Sequence, residues 1–437
     1  MTDRSKFLGR MLDRLYASLL SGPGLNCRPH ASRQRIDMSL LTRMQDQTPE
    51  AILLQLLGEQ RQAKVTAKVP APRQGSSAIA LTASRRIKGL AQPETLSPEQ
   101  EAALRAWEQQ HTLLNKLRGI IEDARLYTQD TGVHVLNLGF PLLSVPAGYL
   151  SNPGSSSRRI LAPIAFIPIQ ITAKAGISPS LRIDCFGEGA DLVVPNTALL
   201  AWLEQQTGKS TVDLFADDEG AAPWRELREL TAYVCQTLGM SLPEFLAQPE
   251  GADPAAAPEI KLDQVPRAEE SEKPTVLSSC VLGLFPMANQ SLIRDTQEMQ
   301  ADQKLSGPVV SFLRVGEALS GSNRPQRENQ RPRKLAANEH LVSAADPFQA
   351  QAVRLAREHT GLVIHGPPGT GKSQTIANII GDHLARGERA LLVCDKRTAL
   401  DVVANRLQHL GLGDLCALVH DPQRDRRELY KGLRDQL

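Results

Sequence analysis

The sequence has no closely spaced cysteines, no long apolar run and no excess of charge of either sign. Its six cysteines include no Cys-x-x-Cys pair, which argues against a zinc ribbon and against a disulfide framework. No apolar run approaches the ~18 residues that a membrane-spanning helix needs. The 50 Lys and Arg nearly balance the 48 Asp and Glu, so the formal net charge is +2 and nucleic-acid binding would require local basic patches. We therefore expect a cytoplasmic protein without a membrane segment.

The N-terminus has the spacing of an amphipathic helix and lacks the features of a signal peptide. Between residues 6 and 20 the apolar positions recur at three- and four-residue steps, and Arg10, Asp13 and Arg14 interrupt them. The sequence Gly22-Pro23-Gly24 then predicts the end of this helix.

A length of 437 residues corresponds to two to four domains. Composition and spacing predict seven segments: an N-terminal helical segment (1–62), a connector (63–96), an α+β domain (97–248), a linker (249–274), a short segment that completes the N-terminal region (275–319), a basic linker (320–345) and a partial nucleotide-binding domain (346–437).

The α+β domain is predicted to begin with a long helix. Ser97-Pro98-Glu99-Gln100 is a capping box with proline at the first helical position, and the apolar spacing continues to about residue 126. Segments rich in Val, Ile and Leu predict strands at 133–138, 159–172 and 180–186. Pro163 and Pro168 place the second of these strands at a sheet edge or a bulge. Further helices are predicted at 197–204, ending near Gly208, and at 223–248.

The chain after residue 346 is predicted to alternate between strands and helices. Apolar segments predict strands at 361–365, 390–394 and 415–419, and helices are predicted at 373–385, 398–410 and 424–436. Short loops between alternating strands and helices imply a parallel sheet. The expected fold class is therefore α/β, with an N-terminal α+β region before the first part of a RecA-like P-loop domain.

Residues 366–373 read Gly-Pro-Pro-Gly-Thr-Gly-Lys-Ser, a complete phosphate-binding loop between a predicted strand and a predicted helix. Glycines let successive backbone N–H groups converge on phosphate oxygens, and the helix N-terminus adds partial positive charge. Lys372 would reach the β- and γ-phosphates, and Ser373 would offer its hydroxyl to Mg²⁺. The predicted nucleotide-binding residues are Gly366, Pro367, Pro368, Gly369, Thr370, Gly371, Lys372, Ser373 and Gln374.

Gln349 lies seventeen residues before the phosphate loop, within Asp346-Pro347-Phe348-Gln349. A glutamine amide can both donate to and accept from the edge of adenine. We therefore predict that ATP is the nucleotide and that Gln349 recognises its base.

Phe348-Gln349, residues 366–374 and the run from Leu391 to Arg397 resemble the start of a superfamily 1 helicase motor. The subgroup is the one that contains the nonsense-mediated-decay helicases. The resemblance implies that Gln349 reads adenine, that Lys372 and Ser373 are catalytic, and that motif Ia, at about 394–400, contacts single-stranded DNA or RNA. Lys396 and Arg397 are the candidate residues for that contact.

The earlier part of the chain resembles the N-terminal region of large bacterial helicase-like proteins. The residues that carry this resemblance are Leu25-Asn26-Cys27-Arg28-Pro29-His30, Asn137-Leu138-Gly139-Phe140, Arg159-Ile160-Leu161-Ala162-Pro163, Asn196 and Gly283-Leu284-Phe285. We expect any protein partners to bind through this region.

The Asp-Glu pair with which this family holds Mg²⁺ and water does not occur after Lys372. Asp395 and Asp421 each end a predicted strand, and for Asp395 a place in motif Ia is favoured over a metal-ligand role. We expect the N-terminal part of a longer enzyme, or a truncated relative, that binds ATP–Mg²⁺ but hydrolyses it poorly alone. The alternatives are a non-enzymatic recognition or assembly module with an incomplete ATP switch, and a small-molecule kinase that uses Asp395.

Several other residues have a structural and a functional interpretation. His30 lies beside Arg28 and Arg33 and could contact phosphate, although a structural histidine is favoured. Residues 324–334 carry five basic side chains, for which a solvated linker is favoured over a nucleic-acid contact. A protein core is favoured over base stacking for Trp107, Trp202 and Trp224, and a solvated loop over a nuclease site for Asp184, Glu188 and Asp191.

Overall fold

The structure is a computed structural model in which two compact units are described. The sheet unit comprises Arg14–Leu126 and His134–Ile293, and the phosphate-loop unit comprises Met1–Asp13, Tyr127–Val133 and Arg294–Leu437. The described residues are 3–43, 48–66, 98–149, 159–174, 180–186, 192–208, 222–248, 251, 253, 255–267, 271–286, 290–302, 340–359, 361–420, 425, 430 and 434. Within these residues, no helix is both long and apolar enough to cross a membrane.

The secondary structure of the described residues mixes helices with short and long strands. The helices are α1 (Asp3–Ser21), α2 (Pro49–Leu57), α3 (Pro98–Thr131), α4 (Thr197–Thr207), α5 (Pro223–Thr237), α6 (Gln290–Asp302), α7 (Pro347–Glu358), α8 (Lys372–Ala385) and α9 (Arg397–His409). The strands are β1 (Arg35–Asp37), β2 (Gln62–Thr66), β3 (Leu136–Val145), β4 (Ile160–Lys174), β5 (Ser180–Cys185), β6 (Val194–Pro195), β7 (Thr275–Leu277) and β8 (Val281–Leu284).

Helix α4 shows how local sequence sets the ends of an element. The side chain of Asn196 accepts a hydrogen bond from the N–H of Leu199 at 3.2 Å, which caps the first turn. Gly208 then adopts a left-handed conformation with φ of 68°, and its N–H bonds the carbonyl of Glu204. The predicted end of this helix near Gly208 is confirmed. The predicted helix at 223–248 is shorter, because α5 ends at Thr237.

The sheet unit is built on an antiparallel sheet. The strand order is β1-β8-β3-β4-β5-β2, with β6 also pairing with β4 and β7 with β3. Strands β1 and β2 lie at the two edges, although they come from residues that the sequence assigned to a helical segment and a connector. The hydrophobic core of the sheet unit includes Cys27, Leu142, Leu161, Phe166, Val265, Val281 and Phe285.

The two prolines of β4 lie inside the sheet, so their predicted place at an edge or bulge is wrong. Pro163 pairs with Leu142 and Pro168 with Asn137 in the register of β3 and β4. The other side of β4 is shared by several short partners rather than one long strand. Along this side the Pro163 carbonyl accepts from Asn196 Nδ2 at 2.6 Å, so a side chain replaces part of the strand ladder.

The phosphate-loop unit does not confirm the predicted parallel sheet. Residues 361–365, 390–394 and 415–419 carry no strand assignment, although all of them are described. One face of the second segment is covered, because Leu392 packs on the cluster of Ala377, Val403 and Leu407 from α8 and α9. On the other face Leu391 is 91% exposed and Val393 is 80% exposed. An alternating apolar pattern identifies such segments but does not determine a hydrogen-bonding neighbour, which is what makes a strand.

Candidate nucleotide-binding site

The phosphate loop, residues 366–373, has a backbone shape that glycine makes possible. Gly369 and Gly371 have positive φ values of 84° and 74°, which side chains with a Cβ rarely adopt. A Cβ at Gly366 would lie 2.8 Å from Lys372 Cγ, so the loop closes too tightly for alanine there. Gly371 is also the N-cap of α8, and the first N–H groups of a helix have no carbonyl partner inside it. This loop is therefore suited to phosphate oxygens.

Lys372 folds over the loop. Its Nζ donates to the carbonyl oxygens of Gly366 at 2.7 Å and Pro367 at 3.1 Å. The hydroxyl of Thr370 donates to the same Pro367 carbonyl at 2.8 Å. Lys372 is exposed and Ser373, the second residue of α8, is half-buried. The positive charge thus lies against the backbone of the loop, and a triphosphate could replace the two carbonyls as its partner.

Gln349 lies against the phosphate loop. It is the third residue of α7 and forms a capping box with Asp346, in which its Oε1 accepts from the Asp346 N–H at 3.1 Å. Its Nε2 donates to the Thr370 carbonyl at 3.0 Å. A Cβ at Gly371 would lie 2.5 Å from the same Nε2, so glycine permits this approach. Both ends of the amide are engaged here, and recognition of adenine by Gln349 stays a prediction.

A segment before α7 is bound along one face of α8. We call residues 340–346 the strap. Gln374, Asn378 and Asp382 lie four residues apart on α8, so they share a face of the helix. The Gln374 amide donates to the carbonyl of Ala344. Asn378 and Asp382 are 0% and 1% exposed, and Asp382 Oδ1 accepts from the N–H of His340 at 3.1 Å. These contacts hold the strap, which precedes Gln349 in the chain, on α8, the helix that follows the phosphate loop.

Asn378 makes the largest number of strap contacts. Its Oδ1 accepts from the N–H groups of Val342 at 3.0 Å and Ser343 at 2.9 Å, and from the Ser343 hydroxyl at 3.3 Å. Its Nδ2 donates to the Ser343 carbonyl at 3.2 Å. Val342 itself packs on Gly381, where a Cβ would lie 2.4 Å from Val342 Cγ1. The Asn378 amide therefore supplies hydrogen-bond partners to the backbone groups of Val342 and Ser343, which lie outside regular secondary structure.

Asp382 carries the charge of this face. Burial raises the pKa of its carboxyl, but hydrogen bonds from Arg386 and from the His340 N–H, together with the charge of Arg357, hold the pKa below its usual value. The Arg386 Nε–Oδ2 distance is 3.2 Å, and Arg357 Nη1 lies 3.7 Å from the same oxygen. Stability from this group is present above the ordinary pKa of an aspartate and is lost as pH falls through its lower folded value.

Replacing Asn378 with alanine is expected to loosen the strap. Each buried backbone group left without a partner costs about 1–3 kcal/mol, so the amide protons of Val342 and Ser343 should exchange roughly tenfold faster or more. Hydrogen–deuterium exchange of the whole chain measures this directly. Asn405→Ala, at an exposed position of α9, is the matched control and should leave both amides unchanged. Unchanged protection at Val342 and Ser343 in Asn378→Ala would contradict the strap contacts.

The motif Ia residues lie at the start of α9. Lys396 is its exposed N-cap and Arg397 its first helical residue. Arg397 Nε lies 3.4 Å from Asp401 Oδ2, and His420 Nε2 lies 3.0 Å from Asp401 Oδ1. Gly132 packs on this group, since a Cβ there would lie 2.8 Å from His420 Cβ. Lys396 is the more accessible of the two cations, and contact with nucleic acid stays a prediction for both.

The weaker candidates have mixed outcomes. Asp395 is exposed, while Asp421, residues 324–334, Glu188 and Asp191 lie outside the described residues. The core interpretation is confirmed for Trp202 and Trp224, which are each 3% exposed. Trp107 stacks on His111 with ring centroids 4.9 Å apart, and Asp184 pairs with Arg182 at 2.8 Å. The structural interpretation of His30 is confirmed, because its Nε2 lies 2.7 Å from the Val265 carbonyl.

Asn378 and Asp382 were missed in the sequence. Their signal is a polar stripe at four-residue spacing on α8, a helix whose other positions include Ile376, Ile379 and Ile380. Such a stripe is usually solvated, and only the position of residues 340–346 shows that here it is buried. Among the described residues no group of three or more His, Cys, Asp or Glu could hold a metal ion.

Two family models match the chain. Residues 3–203 match a family described as "Protein of unknown function (DUF4011)", and residues 345–427 match one described as "AAA domain". The first match covers α1 to most of α4, and the second includes Gln349, the phosphate loop and α9. No solved structure matches the chain significantly.

Curated relatives share part of the chain. An uncharacterized ATP-dependent helicase, the MG140 homolog of Mycoplasma pneumoniae, is 34% identical over 139 residues, which are 31% of this chain and 12% of the relative. The DNA-binding protein SMUBP-2 of Rattus norvegicus is 33% identical over 124 residues, which are 27% of this chain and 12% of the relative. The matched part of the chain thus spans about an eighth of the length of these relatives.

Proposed function

We propose that this chain, in which a DUF4011 region precedes a superfamily 1 helicase-like AAA domain, binds ATP and Mg²⁺ at the phosphate loop. In the complete protein this site would couple ATP hydrolysis to movement along single-stranded DNA or RNA. The observation that carries the proposal is the closed loop at residues 366–373, with Lys372 bonded to two of its carbonyls and Gln349 bonded to its backbone at Thr370. The names of the relatives, one an ATP-dependent helicase and one a DNA-binding protein, support it.

Each residue of the site has a separate role in this proposal. The N–H groups at the start of α8 and the Lys372 ammonium would bind the β- and γ-phosphates. The Ser373 hydroxyl would hold Mg²⁺, which neutralises phosphate charge when bound. Glycine is suited to positions 366 and 371, because a Cβ there would lie 2.8 Å from Lys372 Cγ and 2.5 Å from Gln349 Nε2. Lys396 would contact a nucleic-acid phosphate. We also propose that the protein acts in the cytoplasm, which its six free cysteines support.

Calorimetric titration of residues 1–437 with ATP in the presence of Mg²⁺ tests the proposal. We expect saturable binding of one ATP per chain, and no heat of binding at millimolar ATP would overturn it. A helicase motor also predicts that single strands change the affinity for ATP, because the two ligands are thermodynamically linked. The alternative function, a non-enzymatic recognition or assembly module with an incomplete ATP switch, predicts that single strands do not stimulate ATP hydrolysis by the complete protein, whereas a motor predicts that they do.

Gln349 should determine the base preference. We expect ATP to bind more tightly than GTP or CTP, and Gln349→Ala to remove this preference while triphosphate binding persists. The reason is that only the base edge uses the amide, whereas the phosphates use the loop. Competition assays with the three nucleotides measure the effect, and Gln408→Ala is a control on the exposed part of α9. A parent protein that binds all three nucleotides equally would contradict the assignment.

A further inference from the structure

The sheet unit contains an open cleft whose charged lining is entirely basic in the described residues. The cleft has a volume of about 570 Å³, within the range of roughly 300–1,000 Å³ that is usual for ligand sites. We call it the arginine cleft. It is lined by Arg28, Pro29, His30, Ala31, Arg159, Leu161, Val265, Pro266 and Arg267.

The walls of the arginine cleft are fixed by the fold. Arg28 and His30 follow the segment that bridges to Leu161 of β4, since the Cys27 N–H bonds the Leu161 carbonyl at 2.7 Å. Arg159 precedes β4, and its Nε donates to the Ser144 hydroxyl of β3 at 3.1 Å. Arg28 Nη2 donates to the Arg159 carbonyl at 3.3 Å. The Arg28 side chain is thereby held against the backbone of Arg159, a residue from a distant part of the chain.

The third wall is held by a buried acid. The N–H of Val265 donates to Asp37 Oδ2 at 2.8 Å, and the other carboxylate oxygen accepts from the N–H of Ser39 at 3.0 Å. Both oxygens of Asp37 accept hydrogen bonds from backbone groups, and the bond to Val265 fixes the segment that leads to Arg267. On the same side of the cleft, His30 Nε2 lies within hydrogen-bond distance of the Val265 carbonyl.

Further cations accumulate beside the arginine cleft. Lys116 of α3 donates through Nζ to the carbonyl of Pro29 at 3.4 Å. Burial lowers the pKa of Lys116, and the nearby charge of Arg35 lowers it further. Arg35 Nε is buried without a hydrogen-bond partner among the described residues. Crowded like charges of this kind favour a bound anion, which would relieve their repulsion.

We propose that the arginine cleft binds the phosphate backbone of a single-stranded nucleic acid. An open cleft with arginines on separate walls matches consecutive phosphates of a strand, because guanidinium groups bond phosphate oxygens in pairs. A second and larger cleft of about 670 Å³ in the same unit does not have an entirely basic lining. Asp184 lies in its wall and pairs with Arg182 at 2.8 Å. The identification of nucleic acid as the ligand rests on the proposed function. The identification of the cleft as an anion-binding site rests on its lining residues alone.

The test uses residues 1–437 and a fluorescently labelled 15-nucleotide single strand, with anisotropy as the readout and no ATP present. The variant Arg28→Glu/Arg267→Glu reverses two charges of the cleft and leaves Arg159 in its contact with Ser144. We expect it to bind at least tenfold more weakly than the parent, because each charge-assisted contact is worth about 1.5–3 kcal/mol. The slope of log K against log salt should fall by about 1.4, since each phosphate contact contributes about 0.7 for single strands.

The matched control is Arg118→Glu/Arg125→Glu, at two exposed positions of α3 that do not line the cleft. Equal weakening in the control and the cleft variant would overturn the proposal, because the effect would then reflect net charge alone. Circular dichroism shows whether the variants fold, and the milder Arg267→Ala should still reduce affinity and salt slope. Unchanged binding by Arg267→Ala and the double variant would also overturn it, as would a parent that binds no strand.

Two further arms separate the sources of phosphate and the two sites. Inorganic phosphate at 10 mM should displace the strand no better than an equal ionic strength of chloride. Displacement specific to inorganic phosphate would overturn the backbone proposal in favour of a small-anion site. Lys372→Ala should leave strand affinity unchanged, so that a failure of the ATP site and a failure of the arginine cleft give different results.

Discussion

Lys372→Ala is expected to weaken ATP binding at least tenfold in calorimetry. The ammonium bonds the carbonyls of Gly366 and Pro367 in the phosphate loop. In the bound state it would bond phosphate oxygens instead, and a charge-assisted contact is worth about 1.5–3 kcal/mol. Because 1.4 kcal/mol corresponds to a factor of ten, the lower end of this range already gives the expected loss.

Lys396→Ala is the control for the loss of a positive charge in the same unit. Lys396 is exposed at the start of α9 and has no part in the proposed phosphate contacts. Its replacement should change ATP affinity less than twofold. Lys372 also bonds the loop in the free protein, so thermal unfolding of both variants should be compared with the parent. Equal ATP affinity of the parent and a folded Lys372→Ala would sink the proposed site.

Residues 1–437 are expected to turn over ATP negligibly, with or without single-stranded DNA or RNA, although they bind it. Phosphoryl transfer needs a bound metal, a positioned water and charge neutralisation at the γ-phosphate. Lys372 and Ser373 address the first requirement, but no Asp-Glu pair follows them in the sequence and Asp395 is exposed. An arginine finger alone is worth roughly 10³ to 10⁵ in rate for related NTPases.

A steady-state ATPase assay with added strands checks this expectation. The Lys372→Ala variant defines the background, because any site-specific turnover must depend on that lysine. Turnover above about one per second in the parent, abolished in the variant, would mean that Asp395 or Asp421 completes a working site. The assignment of Asp395 to motif Ia would then be wrong.

The local chemistry of the site could be predicted from the sequence because it depends on neighbouring residues. The phosphate loop needs glycine at particular positions, and Gly369 and Gly371 do adopt positive φ. Gln349 could be linked to the loop because it lies seventeen residues before it and matches the adenine-reading glutamine that the resemblance to helicase motors implies. Its bond to the Asp346 N–H is part of a local capping box, whereas its bond to the Thr370 carbonyl could not be predicted, since only folding brings that group within reach.

Pairing between distant segments could not be predicted from the sequence. Residues 62–66 form an edge strand because Val65 and Ala63 meet Leu181 and Ile183 of β5, more than a hundred residues later. An apolar pattern of period two gives the faces of a strand but not its neighbour. The same limit explains residues 390–394, which have strand-like alternation without strand pairing. The strap could not be predicted because polar side chains on a helix usually face solvent. Only the folded chain shows that the polar side chains of α8 bond backbone groups of residues 340–346.

Because of the strap contacts, an insertion or deletion is expected to have different effects at different positions between residues 340 and 359. Gln374, Asn378 and Asp382 are set at fixed intervals by the helix, so their backbone partners at 344, 342–343 and 340 must keep the same spacing. Deleting one residue of the strap would shift every contact on one side of the deletion. Residues 358–359, where α7 ends, are exposed and precede the loop without taking part in this register. A change of length at residues 358–359 is therefore expected to disturb the strap contacts less than the same change between His340 and Gln349.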